Sequence, residues 1–415
     1  MSKVRAEVLV IGGGAAGMSA ALAASAYADV TVVDDNPMLG GQIWRADLGK
    51  IKSPDAKRLV EQVNSGKVNI INNAQVFGSD SHGCLLAETP DGTIELTFEK
   101  LILATGARER FLPFPGWTLP NVLGAGGLQA MVKGGLNIAG KRVIVAGTGP
   151  LLLAVADHLK AKGAKVICIA EQAPASKIRG FALDLWRFPA KIAQGVALRM
   201  RLRDVPYWTD SWVTDCVNDD ETTHTISVTV SQSGVARTIE CDLLACGFHL
   251  VPNTELAAVL GCRIDTGTVR VDEFQQTSIA NIYCAGEPTG IGGVEASLIE
   301  GKIAGLAAAG QIDEARRHFA ENGKTRRFGE ALNAAFTLRD ELRSLASADT
   351  VVCRCEDVEY GRLIEFANSR EAKLQTRCGM GPCQGRICGP ANEFLFGWKP
   401  GTVRPPIFPV KMEDL

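Results

Sequence analysis

Two stretches of the chain share one pattern of apolar and polar positions. AEVLVIGGGAAGMSAALAAS, from Ala6, and KRVIVAGTGPLLLAVADHL, from Lys141, each begin with an apolar run, continue into a glycine-rich turn and end in helix-forming residues. A second apolar run follows each of them and ends in an acid, Asp34 or Glu171. Continuous apolar runs bounded by glycine are typical of buried parallel strands, so the pattern predicts two βαβ units in an α/β fold.

The first glycine turn fits the dinucleotide-binding pattern G-x-G-x-x-G through Gly12, Gly14 and Gly17. The first glycine permits the tight turn, the second lets the backbone approach a pyrophosphate, and the third lets the helix pack closely on the strand. The N-terminus of the helix then presents N–H groups to the phosphates. Asp34 ends the next strand at the spacing of a carboxylate that holds a ribose hydroxyl, and Asp35, one residue beyond, is the less favoured candidate.

Three later segments extend this motif. GGQ at 40–42 follows the acidic strand end, LILATG at 101–106 ends a strand, and NIYCAGEPTG at 281–290 is a strand with a Gly-Glu turn. Together the four motifs resemble the glutathione-reductase-like flavoproteins with two dinucleotide-binding domains, whose late turn carries Asp where this chain has Glu287. The resemblance implies FAD, contacted by Gly12, Gly14, Ala15, Ala16, Gly17, Asp34, Asp35, Gly41, Gln42, Val76, Ala104, Thr105, Gly106, Gly286 and Glu287.

The second glycine turn lacks the third glycine, because Leu152 takes its place. A leucine there is expected to push or tilt the helix away from the strand. Three alternatives stay open: an NAD site, a mononucleotide site for ATP or AMP, and a scaffold without a ligand. The last two are favoured over working NAD chemistry, and the acid at the strand end disfavours NADP. The candidate residues of this second site are Gly147, Gly149, Pro150, Leu151 and Glu171.

Charge and hydropathy exclude several classes of protein. The 415 residues carry a formal net charge of -2, which gives no reason to expect nucleic-acid binding. The apolar runs are far shorter than the roughly 20 residues of a membrane span. The apolar run at the N-terminus leads directly into glycines and predicts a strand, not a signal peptide. We therefore expect a cytoplasmic protein, with peripheral association at the inner face of the membrane as an alternative.

Five of the twelve cysteines fall between Cys353 and Cys388, in VVCRCEDVEYG and TRCGMGPCQGRIC. Tetrathiolate sites select zinc or an iron–sulfur cluster, and a C-x-C pair followed by a glycine-rich C-x4-C differs from the paired spacing of zinc knuckles. An amphipathic helix with Leu363, Ile364 and Phe366 as its apolar face is predicted between the two halves. The remaining cysteines are expected to be buried thiols. They include Cys241 and Cys246, which bracket a strand and do not form a redox pair.

This C-terminal segment resembles the bacterioferritin-associated-ferredoxin-like [2Fe–2S] domain. Following a two-dinucleotide flavoprotein body, it is similar to the α-type subunits of heteromeric dye-linked amino-acid dehydrogenases. These enzymes act on proline, hydroxyproline or opines, and hydrogen cyanide synthase belongs with them. The resemblance implies that four cysteines hold the cluster: Cys353, Cys355, Cys383 and Cys388, with Cys378 as the alternative to Cys388.

The expected organisation is a discontinuous FAD domain at 1–115 and 245–310, closed by one parallel sheet, and a second nucleotide domain at 116–244. A helical linker at 311–349, a small α-helical [2Fe–2S] domain at 350–398 and an extended tail at 399–415 follow. The tail is expected either to lie along a groove, on this chain or a partner, or to be disordered.

The resemblance implies that amine oxidation occurs at the flavin of a β-type partner subunit. It also implies a further partner, a small ferredoxin-like γ-subunit, and a quinone or another compound that accepts the electrons. No catalytic residue is predicted in this chain, and His249 is a weak candidate. The rivals are a stand-alone NADH-dependent reductase and a non-catalytic electron-transfer or assembly subunit.

Overall fold

The computed structural model describes residues 2–45, 47, 51, 53–65, 67–80, 84–220, 225–399 and 401–412. The chain divides into two compact units. Unit 1 comprises Met1–Arg108, Val251–Glu330 and Thr402–Leu415, and unit 2 comprises Glu109–Leu250 and Ala331–Gly401. The chain changes unit after Arg108, Leu250, Glu330 and Gly401, and the domain boundaries at 115 and 245 stay predictions.

The strands are β1 (Ser2–Ile11), β2 (Val30–Val33), β3 (Val68–Ile71), β4 (Gln75–Ser79), β5 (Leu85–Thr89), β6 (Gly92–Leu103), β7 (Ala107–Glu109), β8 (Val122–Gly124), β9 (Arg142–Thr148), β10 (Lys165–Glu171), β11 (Tyr207–Trp208), β12 (Ser211–Asp220), β13 (Thr225–Gln232), β14 (Val235–Cys241), β15 (Leu243–Phe248), β16 (Leu250–Pro252), β17 (Ile264–Asp265), β18 (Thr268–Val269), β19 (Ile282–Cys284), β20 (Val351–Cys353) and β21 (Val358–Glu359).

The α-helices are α1 (Ala15–Ala24), α2 (Pro54–Val63), α3 (Ala125–Lys133), α4 (Leu151–Ala161), α5 (Ala175–Asp184), α6 (Pro189–Arg201), α7 (Glu255–Val259), α8 (Gly293–Ala308), α9 (Ile312–Arg316), α10 (Phe319–Ala335), α11 (Ser369–Thr376) and α12 (Cys388–Phe396). Short 3-10 turns occur at Leu185–Arg187, Glu287–Thr289, Asp340–Ser344 and Tyr360–Arg362.

The main sheet of unit 1 has the order β3-β2-β1-β6-β5-β4, and β19 also pairs with β6. The β19 strand runs parallel to β6, with Ile282 opposite Leu101, so the early and late segments close one sheet as predicted. The sheet is mixed, however, and the expectation of an all-parallel sheet was wrong. The tight turn between Thr89 and Gly92 joins β5 to β6 directly, and so short a connection permits only an antiparallel pair.

Small residues bring helices α1 and α8 of unit 1 into close contact. A Cβ atom on Gly301 would lie 2.1 Å from the carbonyl oxygen of Ala16, and one on Gly305 would lie 2.2 Å from that of Ala20. The alanine-rich sequence of α1 therefore serves packing as well as helix formation. This packing holds the N-terminal end of α1, which follows the first glycine turn, against the late segment of unit 1.

The parallel sheet of unit 2 has the order β11-β10-β9-β15-β8, and β12, β13 and β14 form an antiparallel meander. Leu152 is fully buried among the apolar residues of this unit. A Cβ on Gly247 would lie 3.6 Å from the Leu152 side chain, so a glycine on the neighbouring strand β15 leaves room for the leucine. The predicted two Rossmann-like sheets are confirmed.

The C-terminal part of unit 2 contains the antiparallel pair β20–β21 and helices α11 and α12. The amphipathic helix predicted around Leu363 and Ile364 is wrong, because a 3-10 turn ends at Arg362 and α11 begins only at Ser369. Only Leu363 of the predicted face is fully buried, and Ile364 is exposed. One buried side chain does not stabilise a helical face over several turns.

The described part of the tail packs on unit 1 of the same chain. The Ile407 N–H donates to the carbonyl oxygen of Phe77 at 2.7 Å, and the Ile407 side chain is buried in the core beside the main sheet. The groove predicted for the tail is therefore on this chain. No helix among the described residues combines the length and the apolar character needed to cross a bilayer.

Candidate cofactor sites

The first glycine turn links β1 to α1 in unit 1. Gly12 has φ of 105° and donates its N–H to the carbonyl oxygen of Val33 at 2.8 Å. A Cβ on Gly17 would lie 1.7 Å from the carbonyl oxygen of Gly12, so only glycine allows the helix this close to the turn. Gly14 precedes α1 and offers no side chain to cap it. The helix therefore begins with backbone N–H groups that no side chain of the N-cap residue satisfies, which is the arrangement that can bind an anion.

Two neighbouring acids follow β2 and have different surroundings. The Asp34 carboxylate is buried and accepts hydrogen bonds from the Gly13 N–H and from the backbone and side-chain nitrogens of Asn36, the latter two at 2.7 and 2.9 Å. Asp35 is exposed and lines a polar cavity of about 330 Å³ together with Asn73, Gln75, Glu88, Thr89, Pro90 and Lys411. Asp34 thus braces the glycine turn, whereas Asp35 borders an open space.

The next predicted segments also lie at this turn. Gly40 donates its N–H to the carbonyl oxygen of Gly13 at 2.9 Å, and Gly41 packs against Gly14. Ala104 donates its N–H to the carbonyl oxygen of Ile11 at 2.8 Å. The remaining predicted residues are more varied: Gln42 is exposed, Val76 is buried in the core, Gly106 has φ of 67°, and Thr105 donates its hydroxyl to the carbonyl oxygen of Asn253 at 2.7 Å.

The late Gly-Glu turn of unit 1 contains an unpaired carboxylate oxygen. Glu287 Oε1 accepts the Gly293 N–H at 3.0 Å, while Oε2 is buried and has no hydrogen-bond partner among the described residues. Burial raises the pKa of Glu287 to about 7. An orphaned buried oxygen costs free energy unless a further donor approaches it. A ligand hydroxyl group would supply that donor, so this turn fits the sugar-like portion of a dinucleotide.

Glu300, on α8, holds the same turn and was missed by the sequence reasoning. Its Oε2 accepts the Gly286 N–H at 3.0 Å and the Thr289 hydroxyl at 2.9 Å, and its Oε1 lies 3.8 Å from Arg326 Nε. The side chain is buried, and burial raises the pKa of its carboxyl. The second of two acids, Glu295 and Glu300, within the largely small and apolar GVEASLIEGKIAG segment was the available signal.

The acid beside the second glycine turn accepts its hydrogen bonds from groups of this chain. Glu171 is fully buried, and its carboxylate accepts the Gly149 N–H at 2.7 Å, the Ala173 N–H at 2.9 Å and the Thr148 hydroxyl at 3.0 Å. These donors all belong to unit 2. The predicted ribose contact would compete with the bonds that hold the Gly147–Leu151 turn in place.

Residues 336–339, which we call the strap, cover this second turn within unit 2. The Thr148 hydroxyl lies 3.3 Å from the carbonyl oxygen of Phe336, and the Gln172 side chain donates to the carbonyl oxygen of Thr337 at 3.2 Å. Arg339 returns its N–H to the Gln172 side-chain oxygen at 3.2 Å. The buried Phe336 ring lies 3.9 Å from where a Cβ of Gly149 would be. The residues present therefore do not fit an NAD pyrophosphate at this turn.

We expect Glu171 to make the stability of the chain depend on pH. Burial raises its pKa from the ordinary 4.5 to about 7, so the folded state holds a proton that the unfolded state releases. The free energy of unfolding should therefore fall as pH rises from about 5 to about 8, by about 3 kcal/mol from this group. Urea unfolding across that range should show a smaller fall for Glu171→Gln. An equal fall in the variant and the parent would contradict the assignment.

The five C-terminal cysteines lie close together in unit 2. The sulfur atoms of Cys353, Cys378 and Cys388 all lie within 4.8 Å of one another, and these three residues are buried. Cys355 is exposed and Cys383 is half-buried. Cys378 and Cys388 donate hydrogen bonds to the Cys353 sulfur, which hold the pKa of Cys353 well below its usual range. Such a set of sulfur atoms can bind a soft metal centre once the thiols lose their protons.

A cavity of about 90 Å³ adjoins four of these five cysteines. It is lined by Cys353, Cys355, Cys383 and Cys388, together with Phe111, Trp117, Arg354 and Ile387. Cys378 is not part of the lining, and its sulfur accepts a hydrogen bond from Asn392 Nδ2 at 3.4 Å. A Cβ on Gly381 would lie 2.2 Å from the Cys355 Cβ, so a glycine is needed to bring the two cysteine segments together.

An aromatic wall that the sequence reasoning missed closes one side of this cavity. Trp117 is buried, and its Nε1–H donates to the carbonyl oxygen of Val351 at 2.6 Å. The Phe111 ring lies 6.0 Å from the Trp117 ring, and the Arg354 guanidinium lies 5.7 Å from it. Because these aromatic residues precede the cysteines by more than 200 positions, only the tertiary fold brings them together.

Comparison with known proteins identifies the family. Residues 6–311 match the family model of the pyridine nucleotide-disulphide oxidoreductases. The chain belongs to this family. The matched range contains both glycine turns, and the cysteine cluster lies beyond its end.

Several relatives are similar over nearly the whole chain. The hydrogen cyanide synthase subunit HcnB of Pseudomonas aeruginosa is 32% identical, with 92% of this chain and 90% of that protein covered. In Rhizobium meliloti strain 1021, one of the opine oxidase subunits is 31% identical, with 99% of this chain and 98% of that protein covered. The predicted resemblance to these α-type subunits is confirmed.

Solved structures of this fold agree. The crystal structure of L-proline dehydrogenase from P. horikoshii matches with a TM-score of 0.70 and 20% identity, covering 100% of this chain and 80% of that one. The T. acidophilum thioredoxin reductase matches with a TM-score of 0.57 and 22% identity, covering 74% of this chain and 98% of that one. At these identities the matches establish the fold of the family member described here.

The structure also shows the surroundings of the Cys241–Cys246 pair and of His249 in this pyridine nucleotide-disulphide oxidoreductase. Cys241 and Cys246 are buried on or beside β15, as expected of core residues, and burial raises the pKa of the Cys241 thiol to about 12. His249 follows β15 with φ of 73°, and its Nδ1 lies 3.4 Å from the carbonyl oxygen of Leu250. Burial lowers the pKa of His249, which favours a neutral ring at neutral pH.

Proposed function

We propose that this chain is the α-type subunit of a heteromeric dehydrogenase that oxidises an amino or imino acid of the proline, hydroxyproline or opine type. The C–N bond is oxidised in an FAD-containing β-type partner subunit. This chain then passes the electrons to a quinone or a similar acceptor, and a small ferredoxin-like γ-subunit completes the complex. The proposal rests on one observation. A glycine turn of the dinucleotide-binding type and a cysteine-lined cavity occur in a chain that is similar over nearly its whole length to subunits of such enzymes.

The first glycine turn is assigned to FAD. The N-terminus of α1 would face the pyrophosphate, and the free Glu287 Oε2 would accept a hydrogen bond from the ribityl chain. Asp35, which borders the open polar cavity, is the better candidate for the adenosine ribose, because Asp34 Oδ2 already accepts the Gly13 N–H and Asp34 Oδ1 already accepts the Asn36 N–H. Asp34 and Glu300 then act as positioning residues that hold the two turns on either side of the ligand.

The cysteine cavity is assigned to a [2Fe–2S] cluster held by Cys353, Cys355, Cys383 and Cys388. These are the cysteines that line the cavity, whereas Cys378 is hydrogen-bonded outside it. Flavins exchange two electrons and iron–sulfur clusters exchange one, so a chain that holds both can divide a two-electron oxidation into single steps. The chain's own contribution is to hold the four thiolates and to exclude water with Trp117 and Phe111.

The second glycine turn is assigned a structural role. The strap and the buried Glu171 favour a scaffold without NAD over the stand-alone NADH reductase that the sequence left as a rival.

We place the protein in the cytoplasm, at the inner face of the membrane, where a quinone acceptor would be found. We assign no catalytic residue to this chain, and His249 stays a weak candidate.

The test is an anaerobic visible spectrum of the purified chain before and after NADH is added. We expect flavin bands and a cluster shoulder that do not change with NADH, and bleaching when the partner subunit is supplied together with its amino-acid substrate. Rapid bleaching by NADH alone would overturn the assignment of the second turn. Failure of every proline-, hydroxyproline- or opine-type substrate to cause bleaching in the presence of the partner would overturn the proposed function. A dithionite-reduced sample is the control, because it shows that both centres can accept electrons.

A further inference from the structure

Residues 175–203 form a segment that we call the basic arm, which contains α5, a 3-10 turn and α6 in unit 2. The arm is attached to the unit near its ends, because Phe181 packs edge-on against Phe336 at 5.5 Å and Leu202 is fully buried. Between them, α6 has no buried residue over its 13 positions. α6 contacts α4, as the ion pair between Arg201 and Asp157 shows, but a helix that buries none of its side chains gains little stability from tertiary packing.

Five of the exposed side chains of the arm are large and apolar. Ile192, Val196 and Met200 follow one another at intervals of four residues, which places them on one face of α6. They are 38%, 57% and 61% exposed, and Leu183 and Trp186, which come earlier in the arm, are 75% and 70% exposed. A continuous stripe of this kind is typical of an interaction surface, whereas single exposed apolar residues are ordinary.

The charge of the arm is strongly one-sided although the whole chain has a formal net charge of -2. Within the arm, Asp184 is the single acid in the sequence. The basic residues are Lys177, Arg179, Arg187, Lys191, Arg199, Arg201 and Arg203.

Not all of these cations are available to a partner. Arg201 pairs with Asp157 at 2.8 Å, and Arg199 donates to the carbonyl oxygen of Leu202 at 2.7 Å. Arg187 lies 5.4 Å from the Trp186 ring. Lys177 and Arg179 are exposed and form no ion pair within the described part of the chain. The next acid along the chain, Asp204, is already bonded to Lys160.

We propose that the basic arm binds the surface of an anionic phospholipid membrane. Cations and large apolar residues are interspersed along the sequence of the arm. A protein interface, in contrast, collects its apolar residues at a centre and its charges at a rim. The cations that the arm offers to a membrane are Lys177 and Arg179, because Arg199 and Arg201 already bind groups of this chain. In a membrane surface the ammonium and guanidinium groups meet lipid phosphates. The stripe from Ile192 to Met200 and the Trp186 ring enter the boundary between headgroups and acyl chains. The proposal deepens the membrane location given under the proposed function, on which it rests, by naming the surface that makes the contact, and vesicle binding tests it separately from electron transfer.

The test is flotation of the purified full-length chain with vesicles of phosphatidylcholine, alone or mixed with phosphatidylglycerol. We expect binding to the mixed vesicles only, and weaker binding at higher salt. The pair Lys177→Gln and Arg179→Gln should weaken binding by about 30-fold, since each surface cation contributes roughly fivefold. The pair Val196→Ser and Met200→Ser should weaken it by about tenfold.

Matched controls separate this surface from general charge effects. Arg58→Gln with Lys67→Gln removes the same charge from exposed positions of unit 1 and should leave vesicle binding unchanged. Absence of binding to the mixed vesicles would overturn the proposal, as would equal binding by the arm variants. A third outcome would also overturn the proposal: the parent chain does not bind vesicles, and the arm variants no longer co-purify with the partner subunit. That outcome would identify the arm as a subunit interface. Flavin and iron contents are measured on the same samples, so loss of cofactor is recognised independently.

Discussion

Replacing Cys383 with serine is expected to remove most of the iron from the purified chain, whereas replacing Cys378 with serine is expected to leave it bound. Cys383 lines the cavity with three further cysteines, and Cys378 lies outside the lining with its sulfur bonded to Asn392. A serine hydroxyl is a poor substitute for a thiolate at a soft metal centre. Loss of an outer contact alone costs about 10- to 100-fold in metal affinity, so loss of a ligand should cost more.

The pair of variants also distinguishes a ligand from a structural thiol. At position 378 a serine keeps an oxygen that can accept the Asn392 hydrogen bond, so the local fold should persist. Iron per chain and the electron paramagnetic resonance signal of the dithionite-reduced protein measure the cluster. The flavin absorbance of the same samples shows that unit 1 is intact. Retention of iron in Cys383→Ser together with its loss in Cys378→Ser would show that Cys378 is the ligand, and our assignment of the cavity would be wrong.

Replacing Gly17 with alanine is expected to destabilise unit 1 by at least about 3 kcal/mol and to abolish the retention of FAD during purification. The new Cβ would lie 1.7 Å from the carbonyl oxygen of Gly12, and a backbone atom cannot rotate away as a flexible side chain can. Either α1 moves away from β1, which opens the packing of α1 on α8, or the glycine turn moves out of the position that holds a pyrophosphate. Both outcomes disrupt the site proposed for FAD.

Gly323, in α10 of the same unit, provides the matched control. A Cβ there would meet nothing within 4 Å, so Gly323→Ala is expected to leave FAD bound and to stabilise the helix by about 0.5–1 kcal/mol. Urea unfolding and the ratio of flavin to protein absorbance measure both effects. If Gly17→Ala kept its flavin and unfolded at the same urea concentration as the parent, the close packing of helix and strand would not be what forms this site.

The sequence by itself determined the order of the elements and the kinds of chemistry. Apolar runs that end in glycine and are followed by helix formers are local signals, and β1–α1–β2 and β9–α4–β10 follow them closely. The spacing of the five cysteines likewise indicated a thiolate site before any contact was known. These inferences hold because they depend on residues that are near one another along the chain.

Only the tertiary structure decided which side chains are available to a ligand. Asp34 and Asp35 are adjacent and chemically alike. Asp34, however, accepts a hydrogen bond from the Gly13 N–H, whereas Asp35 lines the polar cavity. Likewise, Glu171 has the sequence position of a residue that binds a ribose, but its carboxylate accepts hydrogen bonds from the neighbouring glycine turn. Hydrogen bonds saturate a carboxylate, and no periodicity of the sequence reports which donors reach it.

The largest departures arose from segments far apart in sequence. The strap covers the second glycine turn from more than 150 residues away, and Trp117 reaches the cysteine cavity from a similar distance. The helix expected around Leu363 did not form. Leu363 is buried and Phe366 packs against the same cluster, but Ile364 is exposed, so the three residues do not share one buried helical face. Burial is a property of the whole fold, and it decided which of the local patterns became a site.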